Sequence, residues 1–215
     1  MAKYDQQWYR DFYGRYLTSF VMIIFLLLNV LFFISQMILG NRLTDSGALI
    51  TDNVYYGGQL YRLITATFLH ADISHIVSNM IGLFFIGGLI EISVGHIGFA
   101  LIYLMSGIGG NLVSVYYENF KHIERYSIGA SGGVFGLIGA LLILTAYERI
   151  RSAREGKPVG SLLYRGLFVV VFMVASGFTE GGVNNTAHIG GLIMGMIVCT
   201  ALVLIRGSKI KPMQL

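Results

Sequence analysis

The chain has 215 residues, of which 55% are hydrophobic and only 12% charged, and its mean hydropathy is +0.69. That balance excludes an ordinary soluble domain and predicts a membrane protein. The net charge of +4 does not point to nucleic acid, because the basic residues flank apolar runs, where loop bias in membrane proteins places them.

In chain order, residues 1–16 mix Lys3, Arg10 and Arg15 with Trp8, Tyr9, Phe12 and Tyr13, the composition of a segment lying at the lipid headgroups. A hydrocarbon core about 30 Å thick takes roughly 20 residues of helix. Six runs of that kind fall near 17–39, 73–94, 97–117, 127–147, 161–178 and 186–206, the fifth interrupted by Arg165. The first run lacks a small-residue cleavage site and reads as a retained anchor. Six spans put both termini on one side. Eleven of the fifteen Lys and Arg lie in the terminal segments and the fourth connection, against Arg42, Arg62, Lys121 and Arg125 opposite, so both termini are expected in the cytoplasm of a cell membrane. The domain reading is an interfacial segment 1–16, a helical body 17–206 and a tail 207–215.

The connection from Gly40 to Asp72 is too long and too apolar for an idle loop; it is expected to be partly helical and sunk into the outer interface. The turn at Gly95 and His96 is tight. The third run carries Gly98, Gly107, Gly109 and Gly110, which favour close helix packing. Cys199, the one cysteine, lies in an apolar run and reads as packing.

Polar and ionisable side chains inside spans are costly and mark functional sites. Four stand out: His75, Asn79, Ser131 and His188, all placed by this topology within roughly 10 Å of the outer interface. His75 and Asn79 share a helix face at i, i+4. Gly132, Gly136 and Ala140 beside Ser131, and Gly191 and Gly195 below His188, form small-residue surfaces that allow two helices to approach closely. Their contact would bring the Ser131 hydroxyl within reach of the His188 imidazole. The chemistry that fits is serine attack on a carbonyl with His188 as general base and then acid. The oxyanion donors are then the Ser131 backbone N–H and the side chains of Asn79 and His75. No carboxylate is expected at this depth, so the pair is a dyad. Singly, each of these residues is more often interhelical hydrogen-bond glue; the shared depth favours a site.

Gly129, Ser131 and Gly133 also match G-x-S-x-G, but that elbow needs a preceding strand, and both sides here are membrane helix. Five histidines (His70, His75, His96, His122, His188) raise metal binding, yet no H-E-x-x-H occurs and His96 falls on the other side. Neither a metal nor another cofactor is expected, and His70 is assigned a structural role, hydrogen-bonded to loop backbone.

With these residues in place the sequence resembles the rhomboid family of intramembrane serine proteases across all six runs. Gly129-Ala130-Ser131-Gly132 matches the family's GxSG, His75 with Asn79 its HxxxN, and Ala187-His188 with Gly191 and Gly195 its last helix. The resemblance implies an all-α six-helix bundle with Ser131 as nucleophile, His188 as base, and His75 with Asn79 stabilising the oxyanion. Tyr61-Arg62 stands where the family often has Trp-Arg, Glu91 resembles an acidic residue near the cytoplasmic end of its second helix, and Phe135 stands where some members have Tyr against the imidazole; all three positions are given structural roles. The implied substrates are transmembrane segments of membrane proteins, cut near the outer face. The fifth span (Phe168, Phe172, Phe178) with the loop from Thr179 to Asn185 is expected to gate entry. A non-catalytic relative that binds membrane proteins is the main alternative. A transporter is disfavoured by the apolar lower halves of the fourth and sixth runs.

Overall fold

The computed structural model describes residues 17–155 and 183–207, with Gly14 and Ile210. The fifth span at 161–178 with Arg165, the gate loop as far as residue 182, and most of the segment 1–16 and the tail 207–215 lie outside the described residues.

Among the described residues, five helices are long and apolar enough to cross a membrane: α1 (Phe20–Leu39), α5 (Ile73–Val94), α6 (His96–Lys121), α7 (Ser131–Arg154) and α8 (Asn185–Arg206). This is a multi-pass membrane protein. Between α1 and α5 the long connection is partly helical, as its composition predicts: α2 (Asn41–Gly47), α3 (Thr51–Tyr55) and α4 (Arg62–Thr65), the last followed by a 3-10 turn at Ala66–Phe68.

Among the described residues helix is interrupted by a short ladder, β1 (Leu49–Ile50) antiparallel to β2 (Tyr126–Ser127), with Leu49 opposite Ser127 and Ile50 opposite Tyr126. Hydropathy gives no sign of so short a ladder, because two residues carry no period. It matters nonetheless, since β2 ends four residues before Ser131. The same lead-in is held a second time where the Gly129 N–H donates to the Ala66 carbonyl at 2.9 Å.

The helix ends that set the site have local causes. Asp72 caps α5, its carboxylate accepting the His75 N–H at 2.8 Å. Asn184 caps α8, its side-chain oxygen accepting the Ala187 N–H at 3.1 Å. These caps satisfy amides that have no partner within the helix. Helices α5, α7 and α8 therefore all begin at one end of the bundle, and α6 runs the other way and finishes there.

The core between α1, α5, α6 and α7 is aromatic and aliphatic. Phe25 stacks on Tyr103 with ring centroids 5.0 Å apart, beside Phe99, Leu83, Ile90 and Ile138. The fully buried Tyr103 hydroxyl accepts from the Asn29 amide at 3.3 Å. Helices α7 and α8 meet through glycine. A Cβ at Gly195 would lie 2.0 Å from the Gly136 carbonyl oxygen and one at Gly191 2.2 Å from that of Gly132, so only hydrogen fits in either place.

Candidate active site

Ser131 is the first residue of α7, following Gly129 at φ +141°, a conformation that L side chains rarely adopt. The Ser131 backbone N–H therefore belongs to the unsatisfied first turn of a helix. Across the glycine contact, His188 sits one turn into α8, and its Nε2 lies 2.8 Å from the Ser131 Oγ. The imidazole is buried and lies flat on the Phe135 ring, centroids 4.1 Å apart and planes 12° from parallel. Phe135 is one turn below Ser131 on the same helix, so α7 supplies both the hydroxyl and the platform that orients its partner.

His75 closes the third side. A Cβ at Gly129 would stand 2.7 Å from His75 Cε1, 2.8 Å from its Nε2 and 3.6 Å from the Ser131 Oγ, which brings the three residues together around one point. Glycine at 129 is what lets the ring approach. The Ala71 N–H donates to His75 Nδ1 at 3.4 Å. A nitrogen that accepts is not protonated, so the neutral ring carries its proton on Nε2, the atom facing Gly129. Asn79 lies one turn deeper and is buried; its amide donates to the His75 carbonyl at 3.0 Å and keeps a second N–H.

Among the remaining histidines, His70 packs edge-on against His75 with centroids 5.1 Å apart. The loop backbone at Phe68 stands close enough to its ring to favour the protonated form, against the effect of burial. Its backbone is held by α1, the N–H donating to Gln36 Oε1 at 2.9 Å and the carbonyl accepting from Gln36 Nε2 at 3.1 Å. Neither ring nitrogen has a hydrogen-bond partner among the described residues. Burial, with the neighbouring His75 adding to it, pushes the His70 imidazole down to about 3.

Two residues given structural roles in the sequence reading hold other parts of the fold. Arg62 is buried in the connection, donating to the carbonyls of Asp45 at 2.9 Å and Ala48 at 2.6 Å, and to Gln59 Oε1 at 2.6 Å, beside the Tyr61 ring. It organises the segment that carries β1. Glu91 is sixteen residues along α5 from His75, about 24 Å away by helical rise, so it stands at the opposite end of the bundle. There it accepts the Met22 N–H at 2.7 Å and the Val21 N–H at 3.1 Å at the start of α1, and His96 Nδ1 approaches it at 2.5 Å.

The expectation that no carboxylate occurs at the level of the site is overturned by Glu118. Hydropathy places the end of the third run at 117, but α6 continues to Lys121, and the extra turn buries Glu118 at 2% exposure. Its Oε1 accepts from Ser114 at 2.7 Å and from the Asn184 amide at 3.1 Å, and its Oε2 from Thr51. The signal available in the sequence was spacing: Ser114 and Glu118 are i, i+4 and share a face.

The arrangement sets a serine hydroxyl in hydrogen-bond contact with an imidazole, with the His75 ring beside them and Asn79 one turn deeper. Comparisons with known proteins identify the family. Residues 57–205 match the family model described as the Rhomboid domain. The chain is 37% identical over 167 residues to RHOMBOID-like protein 6, mitochondrial, of Arabidopsis thaliana, covering 77% of this chain and 50% of that protein. It is 37% identical over 165 residues to RHOMBOID-like protein 2 of the same plant, covering 77% and 49%. With the Rhomboid protease GluP of Bacillus subtilis (strain 168) it shares 33% identity over 145 residues, 67% of this chain and 26% of that one. The chain thus spans half or less of the length of these relatives. The match of the Rhomboid domain across more than half of the chain, ending one residue short of the end of α8, makes this protein a member of the rhomboid family.

Proposed function

We propose that the chain is an intramembrane serine endopeptidase that cleaves transmembrane segments of other membrane proteins. The observation that carries the reading is the 2.8 Å contact between Ser131 Oγ and His188 Nε2 at the ends of two apolar spans. His188 takes the proton from the hydroxyl as Oγ attacks the scissile carbonyl, and returns it to the leaving amine. The developing oxyanion is met by the Ser131 backbone N–H at the start of α7, the Nε2–H of His75 and the free N–H of Asn79. Phe135 keeps the imidazole in plane through both proton transfers. The site sits at one end of the bundle, so a bound substrate helix must fray locally to expose a carbonyl, and Gly or β-branched residues near the cut make that easier.

The full architecture in this reading is the six-span bundle, with the run at 161–178 as its fifth helix and both termini on the cytoplasmic side of a cell membrane. It is supported by the distribution of Lys and Arg between the connections. Cleavage would then fall near the outer face.

The test is labelling of the purified protein by a fluorescent fluorophosphonate, alongside release of product from a fluorogenic transmembrane peptide. Wild type is expected to label and cleave, and Ser131→Ala and His188→Ala to do neither while remaining folded. A folded wild type that stays unlabelled and inactive beside a working rhomboid protease would overturn the reading and favour a non-catalytic binding protein.

A further inference from the structure

We propose that Glu118 is a positioning residue that fixes the register of His188 against Ser131 by dictating which way the Asn184 amide points. This rests on the Ser131–His188 hydrolase reading.

Asn184 joins three elements. Its oxygen caps α8 through the Ala187 N–H, and its backbone carbonyl accepts the His188 N–H at 3.2 Å, so the cap holds the turn that bears the imidazole. Its Nδ2 donates toward Ser114 Oγ at 2.6 Å and Glu118 Oε1 at 3.1 Å on α6, and toward Ser127 Oγ at 2.9 Å on β2. Ser127 is four residues from Ser131. One primary amide therefore ties the base's helix to the strand that leads to the nucleophile.

A primary amide has two nearly isosteric orientations, and only one of them caps α8. Glu118 selects it. An ionised carboxylate only accepts, so the atom of Asn184 facing it must be the NH₂, which leaves the oxygen for Ala187. Ser114 sits between them and donates its own proton to Glu118, which makes its oxygen an acceptor for Asn184 as well. On the far side Glu118 is fixed by the Thr51 hydroxyl, at the residue directly after β1. No ion pair to Glu118 forms among the described residues, and its charge is met by hydroxyl and amide donors alone. Burying an unpaired carboxylate is costly. A well-packed apolar side chain would satisfy a merely mechanical role, whereas setting the sense of an amide requires an acceptor that has no donor.

The experiment uses the full chain in proteoliposomes with a fluorogenic transmembrane peptide, together with hydrogen exchange followed by mass spectrometry. Glu118→Gln presents both donor and acceptor, frees Asn184 to turn over and weakens the cap. Exchange in peptides containing Ala187 and His188 should become about five- to tenfold faster. kcat should fall about tenfold with KM within about twofold, because the dyad is misplaced while the binding surface is untouched. The double variant Glu118→Gln with Asn184→Asp reverses the polarity: the new carboxylate at 184 still caps Ala187 and accepts from the new amide at 118. It should recover both exchange protection and kcat, a rescue that a space-filling role does not predict. Glu118→Gln with wild-type kcat and exchange would overturn the proposal, as would a slow single variant that the double variant fails to rescue. If the wild type itself neither labels nor cleaves, the proteolytic reading fails, and the exchange measurements alone decide whether Glu118 sets the cap.

Discussion

Gly191 of α8 lies against the backbone of Gly132 so closely that a Cβ on it would sit 2.2 Å from the Gly132 carbonyl oxygen. Backbone cannot yield as a flexible side chain does, so any larger residue must separate α7 from α8 at the level of the dyad. Gly191→Ala is expected to destabilise the fold by about 1–3 kcal/mol and, in the fraction that folds, to lengthen the Ser131–His188 contact. Fluorophosphonate labelling per folded molecule should drop by at least roughly tenfold. Normal labelling with normal thermal stability would mean that the glycine contact does not set the dyad distance.

Phe135 shows how the platform and the base separate experimentally. Phe135→Leu keeps an apolar side chain of similar reach but removes the flat face under His188. The stacked pair contributes about 0.5–1.5 kcal/mol beyond its buried area. Stability should fall by about that amount, and kcat should fall more than KM rises, since a tilted imidazole spoils proton transfer and leaves the substrate surface alone. Phe135→Tyr retains the ring and is expected to stay within about threefold of wild type. Kinetics on a transmembrane peptide check both.

Much of this was legible in the sequence because membrane helices expose their function through what is unusual in them. Polar residues at 75, 79, 131 and 188 stand out against apolar runs, and glycines at i, i+4 intervals announce which faces meet. What the sequence hid was local and irregular. The β1–β2 ladder is too short to have a period, so Ser127 reads as the start of the fourth apolar run, and Asn184 is an ordinary loop residue until its partners are known. Glu118 was concealed because hydropathy marks where a helix leaves the lipid, not where it ends, and α6 carries its last turn beyond that point. Glu91 and Arg62 drew attention through the family resemblance alone, because their partners are largely backbone amides and carbonyls in other elements, a pairing that no one-dimensional pattern encodes.

His75 and Asn79 are expected to act unequally. His75 presents Nε2–H beside Gly129 and Ser131, while Asn79 spends one amide hydrogen on its own helix. Removing a well-placed oxyanion donor costs about 100- to 1,000-fold in kcat. His75→Ala should approach that range with little change in KM, and Asn79→Ala should cost roughly tenfold. Equal losses, or losses in KM alone, would argue against this division of roles.

His70 gives the fold a pH dependence with a definite sign. Its imidazole is held down to about 3 by burial, against an ordinary value of 6.5, so between those values the unfolded chain binds the proton and the folded chain does not. Stability therefore falls as pH drops through 6.5, at about 1.4 kcal/mol per unit, and levels off only near 3. His70→Leu removes the titrating group and two ring nitrogens that lack partners among the described residues. The variant should match or exceed wild type at pH 8 and hold its melting temperature better at pH 5. Parallel curves for the two proteins would remove His70 as the source. Asp72 runs the other way: the Ser74 hydroxyl, then the His75 N–H, hold its carboxyl below the ordinary range. Its cap therefore survives to lower pH than that of an ordinary aspartate.

Glu91 provides the control that separates fold from chemistry. Its two oxygens accept the Val21 and Met22 N–H groups at the first turn of α1, where Met22 is fully buried, so truncation strands donors that water cannot reach. Glu91→Ala should cost about 2–4 kcal/mol, and Glu91→Gln less, because a carboxamide still offers one acceptor oxygen. The carboxylate is about 24 Å from His75 along α5, too far to touch the reacting atoms. Cleavage and labelling normalised to folded protein at low temperature are therefore expected to stay within about twofold of wild type, while the melting temperature drops. A loss of normalised kcat without a loss of stability would instead place Glu91 in communication with the site across the length of the helix.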